Sequence, residues 1–365
     1  MRLSMAFVPR RLPKAVAIDD WVRPSPFSAT EMWWTLRLRW RRRRLLLRAL
    51  RKAHQLRPLA IRTAAIRRGD ILAAVTLRNE MSRLPHFLAH HRALGVAHFL
   101  IVDNASSDGS ADYLLKQPDV SLWQTPHSYK QSRFGMDWLT LLQARHAHGH
   151  WCLTLDADEV FIYPHWQTRD LQALTTWLDR CGHASFGALM LDMYPKGPLN
   201  RQDFTPGTDP LAVLQWFDAG NYSVRIQPRM HNLWVQGGPR ARCFFQSEPA
   251  RAPTLNKTPL VKWNRRYAWV NSTHALLPRR LNHVYDEPGH PRTTGILLHS
   301  KFLPEIVAKA AEEKARKQHF ANSALYDGYY DALVAGPDLW HPDAQYFDGW
   351  QQLEALGLMS RGAWE

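Results

Sequence analysis

The sequence predicts an α/β fold built on a mostly parallel sheet that is flanked by helices. The first observation is that strand-like apolar runs alternate with helical patterns from residue 70 onward, which is typical of parallel strands joined by helical crossovers. The second is that polar residues follow directly after three of these strands. The third is size, because 365 residues with 45% hydrophobic content can bury a substantial core.

The predicted elements alternate regularly along the chain. In order, they are a strand at 70–77, a helix at 82–94, a strand at 96–102, a helix near 110–116, a strand at 120–123, a helix at 133–148 and a strand at 151–155. Residues 186–195 predict a further strand that ends near Asp192, and residues 303–320 predict an amphipathic closing helix. We therefore expect a domain at 70–320, an extension at 1–69 and a C-terminal tail at 321–365.

The formal net charge of +15 comes from the N-terminal extension. Residues 1–69 contain 18 Lys and Arg and three acids, whereas residues 70–365 contain 29 basic and 29 acidic residues. The proline-rich residues 1–30 lack clear periodicity, so we expect this part of the extension to be disordered. The high isoelectric point therefore indicates nothing about the main body.

Residues 31–57 predict a basic helix with aromatic and leucine positions around the run Arg41–Arg44. One interpretation is a solvated helix that packs against the main body. Another is a helix on an anionic membrane surface, with arginines at the headgroups and Trp and Leu partly inserted. Binding to nucleic acid is a third interpretation and the least favoured of the three.

The cysteines and the hydropathy indicate the compartment. Cys152, Cys181 and Cys243 fit no zinc spacing and no disulfide framework, which favours a reducing compartment. No stretch approaches the ~18 apolar residues that are needed to span a bilayer. We expect a cytoplasmic protein. A peripheral position on the inner face of the membrane is compatible with this expectation.

Polar clusters follow three of the predicted strands. They are Arg78-Asn79-Glu80, Asp103-Asn104 and Asp156-Ala157-Asp158. Ligands of open parallel sheets bind at the carboxyl ends of the strands, so we expect these clusters to share one edge. Aspartate oxygens suit Mg²⁺ or Mn²⁺, and such an ion can neutralise a diphosphate. The alternative is that one aspartate caps a helix and the other is merely solvated.

The first predicted strand is followed by neither a dinucleotide-binding glycine motif nor a P-loop. A nucleotide would therefore have to be held by side chains and a metal ion.

Several motifs in order resemble glycosyltransferase family 2. They are Thr76-Leu77-Arg78-Asn79-Glu80, then His90-His91, then Asp103-Asn104-Ala105-Ser106-Ser107-Asp108-Gly109, Arg133-Phe134-Gly135 and Leu155-Asp156-Ala157-Asp158-Glu159. The match is similar to a bacterial subgroup of the family and covers residues 70–165 most clearly. It extends less clearly to about residue 305 and does not reach the N-terminal extension.

The resemblance implies a GT-A fold, with a nucleotide-binding half at 70–165 fused to an acceptor-binding half at 166–320. It implies that Glu80 and Asp103 contact the base and ribose of a nucleotide-diphosphate sugar. Asp158 would ligate the metal, and Asp156 would bind the ribose or share the metal. The other residues expected in the nucleotide-sugar site from these motifs are Arg78, Asn79, Asn104, Asp108 and Arg133.

Sites in the second half are less clearly defined. An inverting transfer needs a carboxylate that takes the proton of the acceptor hydroxyl, and the candidates are Asp192, Asp286 and Glu287. A solvated surface carboxylate is the alternative for each of them.

Cationic and metal-binding residues are also candidates in this half. Arg240 and Arg242 lie in a glycine-rich segment that could hold a diphosphate, or form a hairpin turn with solvated arginines. His299 ends an apolar run, and the resemblance implies that it could complete the metal shell.

The sequence thus leads us to expect a metal-dependent transferase that uses a nucleotide-diphosphate sugar, Mn²⁺ or Mg²⁺ and a glycan or lipid-linked acceptor. One alternative is a nucleotidyltransferase that acts on a sugar phosphate, but the glycine-rich loop expected after its first strand is missing. The other alternative is a non-catalytic protein that binds membranes or nucleic acid.

Overall fold

The structure is a computed structural model that describes residues 16–17, 28–285, 291–307 and 323–365. In these ranges, the helices are α1 (Ala29–Arg51), α2 (Leu84–Ala93), α3 (Ser110–Leu115), α4 (Met136–His146), α5 (Leu171–Arg180), α6 (Gly238–Phe244), α7 (Ser323–Val334) and α8 (Trp350–Ala355). The strands are β1 (Val16–Ala17), β2 (Arg57–Ala60), β3 (Ile71–Leu77), β4 (Val96–Asp103), β5 (Val120–Gln124), β6 (Trp151–Leu155), β7 (Glu159–Ile162), β8 (Ser185–Asp192), β9 (Trp216–Phe217), β10 (Ser223–Gln227), β11 (Asn232–Gln236), β12 (Asn256–Lys262), β13 (Ala268–Asn271), β14 (Ala275–Leu277), β15 (Gly295–His299) and β16 (Gln345–Tyr346).

Within the described residues, a nine-stranded sheet has the order β2-β5-β4-β3-β6-β12-β8-β15-β7. Strands β3 to β6 pair in parallel, and β15 is parallel to β8. Strands β2, β7 and β12 are antiparallel to their neighbours. Because β12 is antiparallel to both β6 and β8, the strands β3, β4, β5, β6, β8 and β15 run in one direction. Their carboxyl ends form one edge, called the carboxyl edge below.

The sheet separates two apolar layers. Side chains alternate between the faces of a strand, so Val75 lies in one layer and Ala74 in the other. The first layer includes apolar side chains of α2 and α5, and the second includes those of α4 and Ala49 of α1. Strand β3 is buried along its whole length, as expected for a parallel strand that helices cover on both faces.

The predicted α/β class, with a mostly parallel sheet flanked by helices, is confirmed. The strands and helices predicted between residues 70 and 155 are all present. The helix expected at 133–148 begins later, at Met136, because Arg133, Phe134 and Gly135 have positive φ angles of 57°, 58° and 76°. A right-handed helix cannot include such residues.

The inner face of α1 packs on the main body. This agrees with one of the three interpretations given for the basic helix. Ser28 caps the helix by accepting from the backbone N–H of Glu31 at 3.2 Å. Near this end, the Glu31 carboxylate accepts from Arg279 Nη2 at 2.5 Å. Near the other end, Arg48 Nε donates to the buried Asp137 carboxylate of α4 at 2.7 Å. Ion pairs therefore attach both ends of α1.

The C-terminal segment is folded onto the main body. Strand β16 pairs antiparallel with β9, and Phe347 N donates to Gln215 O at 2.8 Å. The Trp364 ring lies 6.0 Å from that of Tyr163. None of the helices in the described ranges is long and apolar enough to cross a membrane. The structure predicted for most of residues 1–27 and 303–320 falls outside the described residues.

Candidate functional site at the carboxyl edge

The carboxyl edge brings together polar residues from both halves of the chain. Asp103 at the end of β4 pairs with Leu77 at the end of β3. Asp192 at the end of β8 pairs with His299 at the end of β15. Strand β6, which leads into the Asp156–Asp158 turn, lies next to β3. The expectation that the polar strand ends share one edge is confirmed.

The turn between β6 and β7 presents two aspartates. Glu159 N donates to Asp156 O at 3.1 Å, and Asp156 N donates back to Glu159 Oε2 at 3.1 Å. The Asp158 carbonyl accepts from Ser300 N at 2.7 Å and from Ser300 Oγ at 3.0 Å. These bonds fix the backbone of the turn against the segment that follows β15.

Asp158, His299, Asp192 and Arg240 form a continuous chain of ionic hydrogen bonds. His299 Nε2 lies 3.1 Å from Asp158 Oδ2, and His299 Nδ1 lies 2.6 Å from Asp192 Oδ1. Arg240 Nε donates to Asp192 Oδ2 at 2.7 Å. The exposed fraction of the side chain is 23% for Asp158 and 1% for Asp192. The chain therefore leads from a partly open carboxylate into the interior.

The charges in this chain stabilise one another. Burial lowers the pKa of the His299 imidazole, but Asp158 and Asp192 outweigh burial and raise it. Burial raises the pKa of Asp192, but Arg240 and His299 outweigh it and lower the pKa. For Asp158, the His299 charge likewise overcomes burial and holds the pKa well below its usual range. The arrangement therefore favours ionised carboxylates on both sides of the imidazole.

Asp192 is poorly placed for its predicted role as a catalytic base. Its two oxygens are engaged by His299 and Arg240, and the side chain is almost completely buried. A base must reach the acceptor hydroxyl and bind its proton, whereas the surroundings of Asp192 lower its pKa. The contacts instead favour a positioning role, in which Asp192 orients His299. The other candidate bases, Asp286 and Glu287, lie outside the described residues.

Lys257 holds the first aspartate of the turn. Its Nζ donates to Asp156 Oδ2 at 2.7 Å and also contacts Glu159 Oε1. Lys257 is 3% exposed and Glu159 is fully buried, whereas Asp156 is 42% exposed. Burial and the Asp156 charge raise the pKa of Glu159 to about 7, although Lys257 opposes them. Because Lys257 neutralises Asp156, the two aspartates of the motif have different surroundings.

Two further cations interact with Asp158. Arg83 Nη1 donates to Glu80 Oε2 at 2.9 Å, and Arg83 Nη2 donates to Ser300 O at 3.1 Å. Burial lowers the pKa of the Arg83 guanidinium, but Glu80 and Asp158 raise it overall. Burial lowers the pKa of Lys301, and Asp158 opposes this shift. The site therefore combines a partly open carboxylate with positive charge, and the positive charge suits a bound polyanion.

Asp103 and Asn104 are engaged within the carboxyl edge. The Asp103 carboxylate is fully buried and accepts from Ser106 N at 3.2 Å and from Gln124 Nε2 at 3.1 Å. The Asn104 amide donates to two backbone carbonyls after β5, both at 2.9 Å. These residues shape the loop that follows β4.

The other predicted nucleotide-binding residues connect the loops after β3 and β4. Arg78 donates to two backbone carbonyls of the second loop at 3.0 Å. The Asn79 side chain accepts a backbone N–H of that loop at 2.8 Å, and Asp108 accepts one from the first loop at 2.9 Å. Glu80 pairs with Arg83. The two loops therefore form one joined surface at this edge.

Arg133 bonds to the backbone of β13, although we expected it in the nucleotide-sugar site. Its guanidinium donates to the carbonyls of Trp269 at 2.8 Å and Val270 at 2.6 Å. Its Nη1 atom also lies 3.4 Å from Oδ1 of Asp137. The carboxylate of Asp137 is the one that binds Arg48 of α1. Arg133 therefore joins α4 to β13, and the expectation of a nucleotide contact is not supported by these bonds.

The segment that carries Arg240 and Arg242 is helical, not the extended loop or hairpin turn that we expected. In a helix, residues two positions apart point about 200° apart around the axis. Arg240 accordingly reaches Asp192, whereas Arg242 Nε donates to Asp218 at 2.8 Å. Only Arg240 therefore joins the ionic chain at the carboxyl edge.

The predicted metal ligands are only partly brought together. The described residues contain no group of three His, Cys, Asp or Glu that could hold a metal ion. Asp158 and His299 do converge, and the carboxylate on the second ring nitrogen of His299 is the usual support of a metal-bound imidazole. These two residues fit an ion of the Mn²⁺ type that completes its shell with phosphate oxygens and water. Asp156 instead contacts Lys257.

Sequence reasoning missed Lys257 and Arg83. Lys257 stands in β12, which inserts antiparallel between β6 and β8, and no local pattern indicates that pairing. Arg83 lies just before α2, three residues after Glu80. That spacing was a usable signal, because side chains three apart can pair on a helical turn.

Comparisons with known proteins give distant structural likenesses. No protein-family model matches the sequence, and no curated protein gives a significant match. One similar structure is the mannosyltransferase PcManGT from Pyrobaculum calidifontis in complex with GDP-Man and Mn²⁺, at 19% identity and a TM-score of 0.25. That match covers 47% of this chain and 45% of the mannosyltransferase, which is less than half of its length.

Two other similar structures are named as a synthase and a thymidylyltransferase. A 4-diphosphocytidyl-2C-methyl-D-erythritol synthase matches at 17% identity and a TM-score of 0.24, over 39% of this chain and 68% of its own. A chain assigned as a glucose-1-phosphate thymidylyltransferase from Bacillus anthracis, in complex with sucrose, matches at 8% identity and a TM-score of 0.26, over 72% and 83%. All three TM-scores are below 0.5, so these likenesses carry no conclusion about function.

Proposed function

We propose that this protein is a metal-dependent glycosyltransferase. It would move a sugar from a nucleotide-diphosphate sugar to a glycan or glycolipid acceptor, with inversion at the anomeric carbon. We further propose a cytoplasmic location, peripheral to the inner face of the membrane. The observation that carries the proposal is the pairing of Asp158 with His299, supported by Asp192 at the carboxyl edge of the sheet.

Asp158 and His299 would hold the metal ion. The ion, when bound, supplies positive charge that stabilises the departing nucleoside diphosphate. Asp192 orients the imidazole through Nδ1, so that Nε2 faces the open side of the site. Arg240 keeps Asp192 ionised and thereby preserves this orientation. The chain from Asp158 to Arg240 therefore acts as one preorganised unit.

The cations around Asp158 would bind the diphosphate. Arg83 and Lys301 both interact with the Asp158 charge. Guanidinium and ammonium groups bind phosphate oxygens through charge-assisted hydrogen bonds. Because these groups are preorganised and partly shielded from water, their interaction with developing negative charge is stronger than in bulk solvent.

The joined loops after β3 and β4 would bind the nucleoside. Parallel sheets bind nucleotides at the carboxyl ends of their strands, and both loops lie there. The Asp103 carboxylate is buried and held by Ser106 and Gln124, so it would fix the shape of the loop that receives the nucleoside. Asp156, kept neutralised by Lys257, would face the ribose.

A thermal-shift panel of nucleotide sugars, with and without Mn²⁺, tests this proposal. Stabilisation should appear only with the correct donor and the ion together, by about 2.7 kcal/mol at a donor concentration one hundred times Kd. Asp158→Ala should abolish this joint effect and leave the protein folded, although with a lower melting temperature because His299 loses a charge partner. The control Asp343→Ala removes an exposed carboxylate near the C-terminus, outside the ionic chain. It should behave like the wild type.

Product analysis then separates transfer of a sugar from transfer of a nucleotide. A glycosyltransferase releases a nucleoside diphosphate, whereas a nucleotidyltransferase given a nucleoside triphosphate and a sugar phosphate releases pyrophosphate. Pyrophosphate release that depends on Asp158 would replace the proposed function with the second activity. Donor affinity that is unchanged in Asp158→Ala would refute the metal site.

A further inference from the structure

Helix α1 carries an exposed apolar stripe on the side opposite to its packed face. At 3.6 residues per turn, Trp33, Leu36, Trp40, Leu47 and Leu50 fall on one side of the helix. Their exposed fractions range from 46% for Leu47 to 64% for Trp40. We call these five side chains the outer stripe. The buried residues Glu31, Leu38 and Ala49 lie on the opposite side of the helix.

Exposed apolar side chains are concentrated on this one helix. Of the ten large apolar side chains that are exposed in the described ranges, six belong to α1, namely Met32 and the outer stripe. Single exposed apolar residues are ordinary, whereas a continuous patch of them marks an interaction surface. The outer stripe therefore has the composition of an interaction surface.

Positive charge surrounds the outer stripe. Helix α1 contains eight arginines and one acid, Glu31, which faces inward. The guanidinium of Arg37 lies 5.0 Å from the centre of the Trp33 ring, and that of Arg43 lies 5.1 Å from the Trp40 ring. The surface thus places cations directly beside exposed aromatic rings. This is the composition of helices that lie in the interface of an anionic bilayer.

The outer stripe is fixed in position on the protein. Arg279 binds the buried Glu31 at one end of α1, and Arg48 binds the buried Asp137 at the other. Helix α1 also contacts α4, β13 and β14 along its length. The helix is therefore a rigid part of the body and not a loosely tethered anchor.

We propose that the outer stripe docks this protein on the surface of an anionic lipid bilayer. Trp33, Trp40 and the leucines enter the interface between headgroups and acyl chains, and the flanking arginines bind lipid phosphates. The docking is independent of the proposed catalytic activity. Because α1 is rigidly attached, docking also fixes how the carboxyl edge is oriented relative to the bilayer.

The charge distribution disfavours the other occupants of this surface. A second copy paired through the same face would place its arginines against those of the first, and like charges in contact oppose association. Nucleic acid would satisfy the arginines through its phosphates. It would not account for Leu36, Leu47 and Leu50 on the same face.

Co-sedimentation of the full chain with vesicles tests the docking surface. The vesicles are pure phosphatidylcholine in one arm and phosphatidylcholine with about one quarter phosphatidylserine in the other. The stripe variant combines Trp33→Gln, Leu36→Gln and Trp40→Gln, and we expect its partition onto the anionic vesicles to fall by about a hundredfold. The control combines Ile61→Gln and Tyr346→Gln, two exposed apolar residues outside α1, and should bind like the wild type.

A charge variant, Arg41→Gln with Arg43→Gln and Arg44→Gln, should reduce binding to the anionic vesicles toward the level of the neutral ones. Circular dichroism and thermal melts establish that both variants are folded, which the exposure of the changed side chains leads us to expect. Equal vesicle binding by the stripe variant and the wild type would overturn the proposal. A wild-type dimer in solution that becomes monomeric in the stripe variant would assign the surface to a second copy instead.

Discussion

Replacing Lys257 by methionine should destabilise the protein strongly through a single buried charge. Lys257 is shared between Asp156 and Glu159. Methionine retains most of the apolar stem and removes the ammonium group. Asp156 is 42% exposed and can be solvated after the change. Glu159 is fully buried and would lose its cation.

The expected magnitude follows from this difference in exposure. An exposed ion pair contributes about 0–1 kcal/mol, so the loss of the Asp156 contact should be a small part of the effect. Removing one partner of a buried pair costs about 3–5 kcal/mol, because the remaining carboxylate must stay charged without a partner or bind a proton at a cost in folding free energy. We therefore expect Lys257→Met to lower the free energy of unfolding by about 3–5 kcal/mol. The additional change Glu159→Gln should restore most of this loss, since glutamine can still accept from Asp156 N.

Urea denaturation followed by circular dichroism would measure both effects. The wild type, the two single variants and the double variant form a double-mutant cycle. The control Lys262→Met removes a half-exposed lysine of the same strand, which pairs with Asp179, and should cost about 1 kcal/mol or less. A loss below about 1 kcal/mol for Lys257→Met, or no recovery in the double variant, would refute the argument about a buried charge.

Three other predictions concern the site, the core and the response to acid. Asp192→Asn should weaken Mn²⁺ binding in the presence of donor by about 10- to 100-fold, because His299 loses its supporting carboxylate; unchanged affinity in calorimetry would contradict the positioning role. Gly295→Ala should destabilise the protein by about 1–3 kcal/mol, because the added Cβ would lie 2.7 Å from Ile162 O; an unaltered melting temperature would count against this. Burial, aided by the charge of His90, holds the pKa of His91 well below its usual range, so the unfolded chain binds the proton more readily. Stability should then fall as the pH drops below about 6.5, by up to about 1.4 kcal/mol per pH unit from this residue, and His91→Gln should flatten that part of the curve.

Much of the structure of residues 70–165 could be predicted from local patterns. Strands β3, β4, β5 and β6 are continuous apolar runs separated by helical patterns. Strands β3, β4 and β5 pair in sequence order, and β6 then pairs with the free side of β3. Parallel strands with short crossovers leave few alternative arrangements. The polar residues that follow these strands could consequently be assigned to one edge from the sequence alone.

The second half depends on pairings that no local pattern encodes. The strand that carries Lys257 inserts between β6 and β8, about a hundred residues from the first in sequence. The loop predicted around Arg240 and Arg242 was wrong for a different reason, because Gly237 and Gly238 suggested a loop where a short helix forms. The sequence predicts a strand that ends near Asp192. The role of Asp192, however, depends on its contacts with Arg240 and His299.

The interior position of β15 has a consequence for synthesis of the chain. This strand lies between β8 and β7 in the sheet, although β7 precedes it by more than a hundred residues. Until residue 299 has left the ribosome, β7 has no partner on that side and the edge of β8 is open. Open strand edges of this kind pair readily with other chains. Nascent chains that stall before Gly295 should therefore depend on chaperones. Mature chains that are cleaved near residue 290 and release the C-terminal fragment should lose His299, and the edges of β8 and β7 should become exposed together.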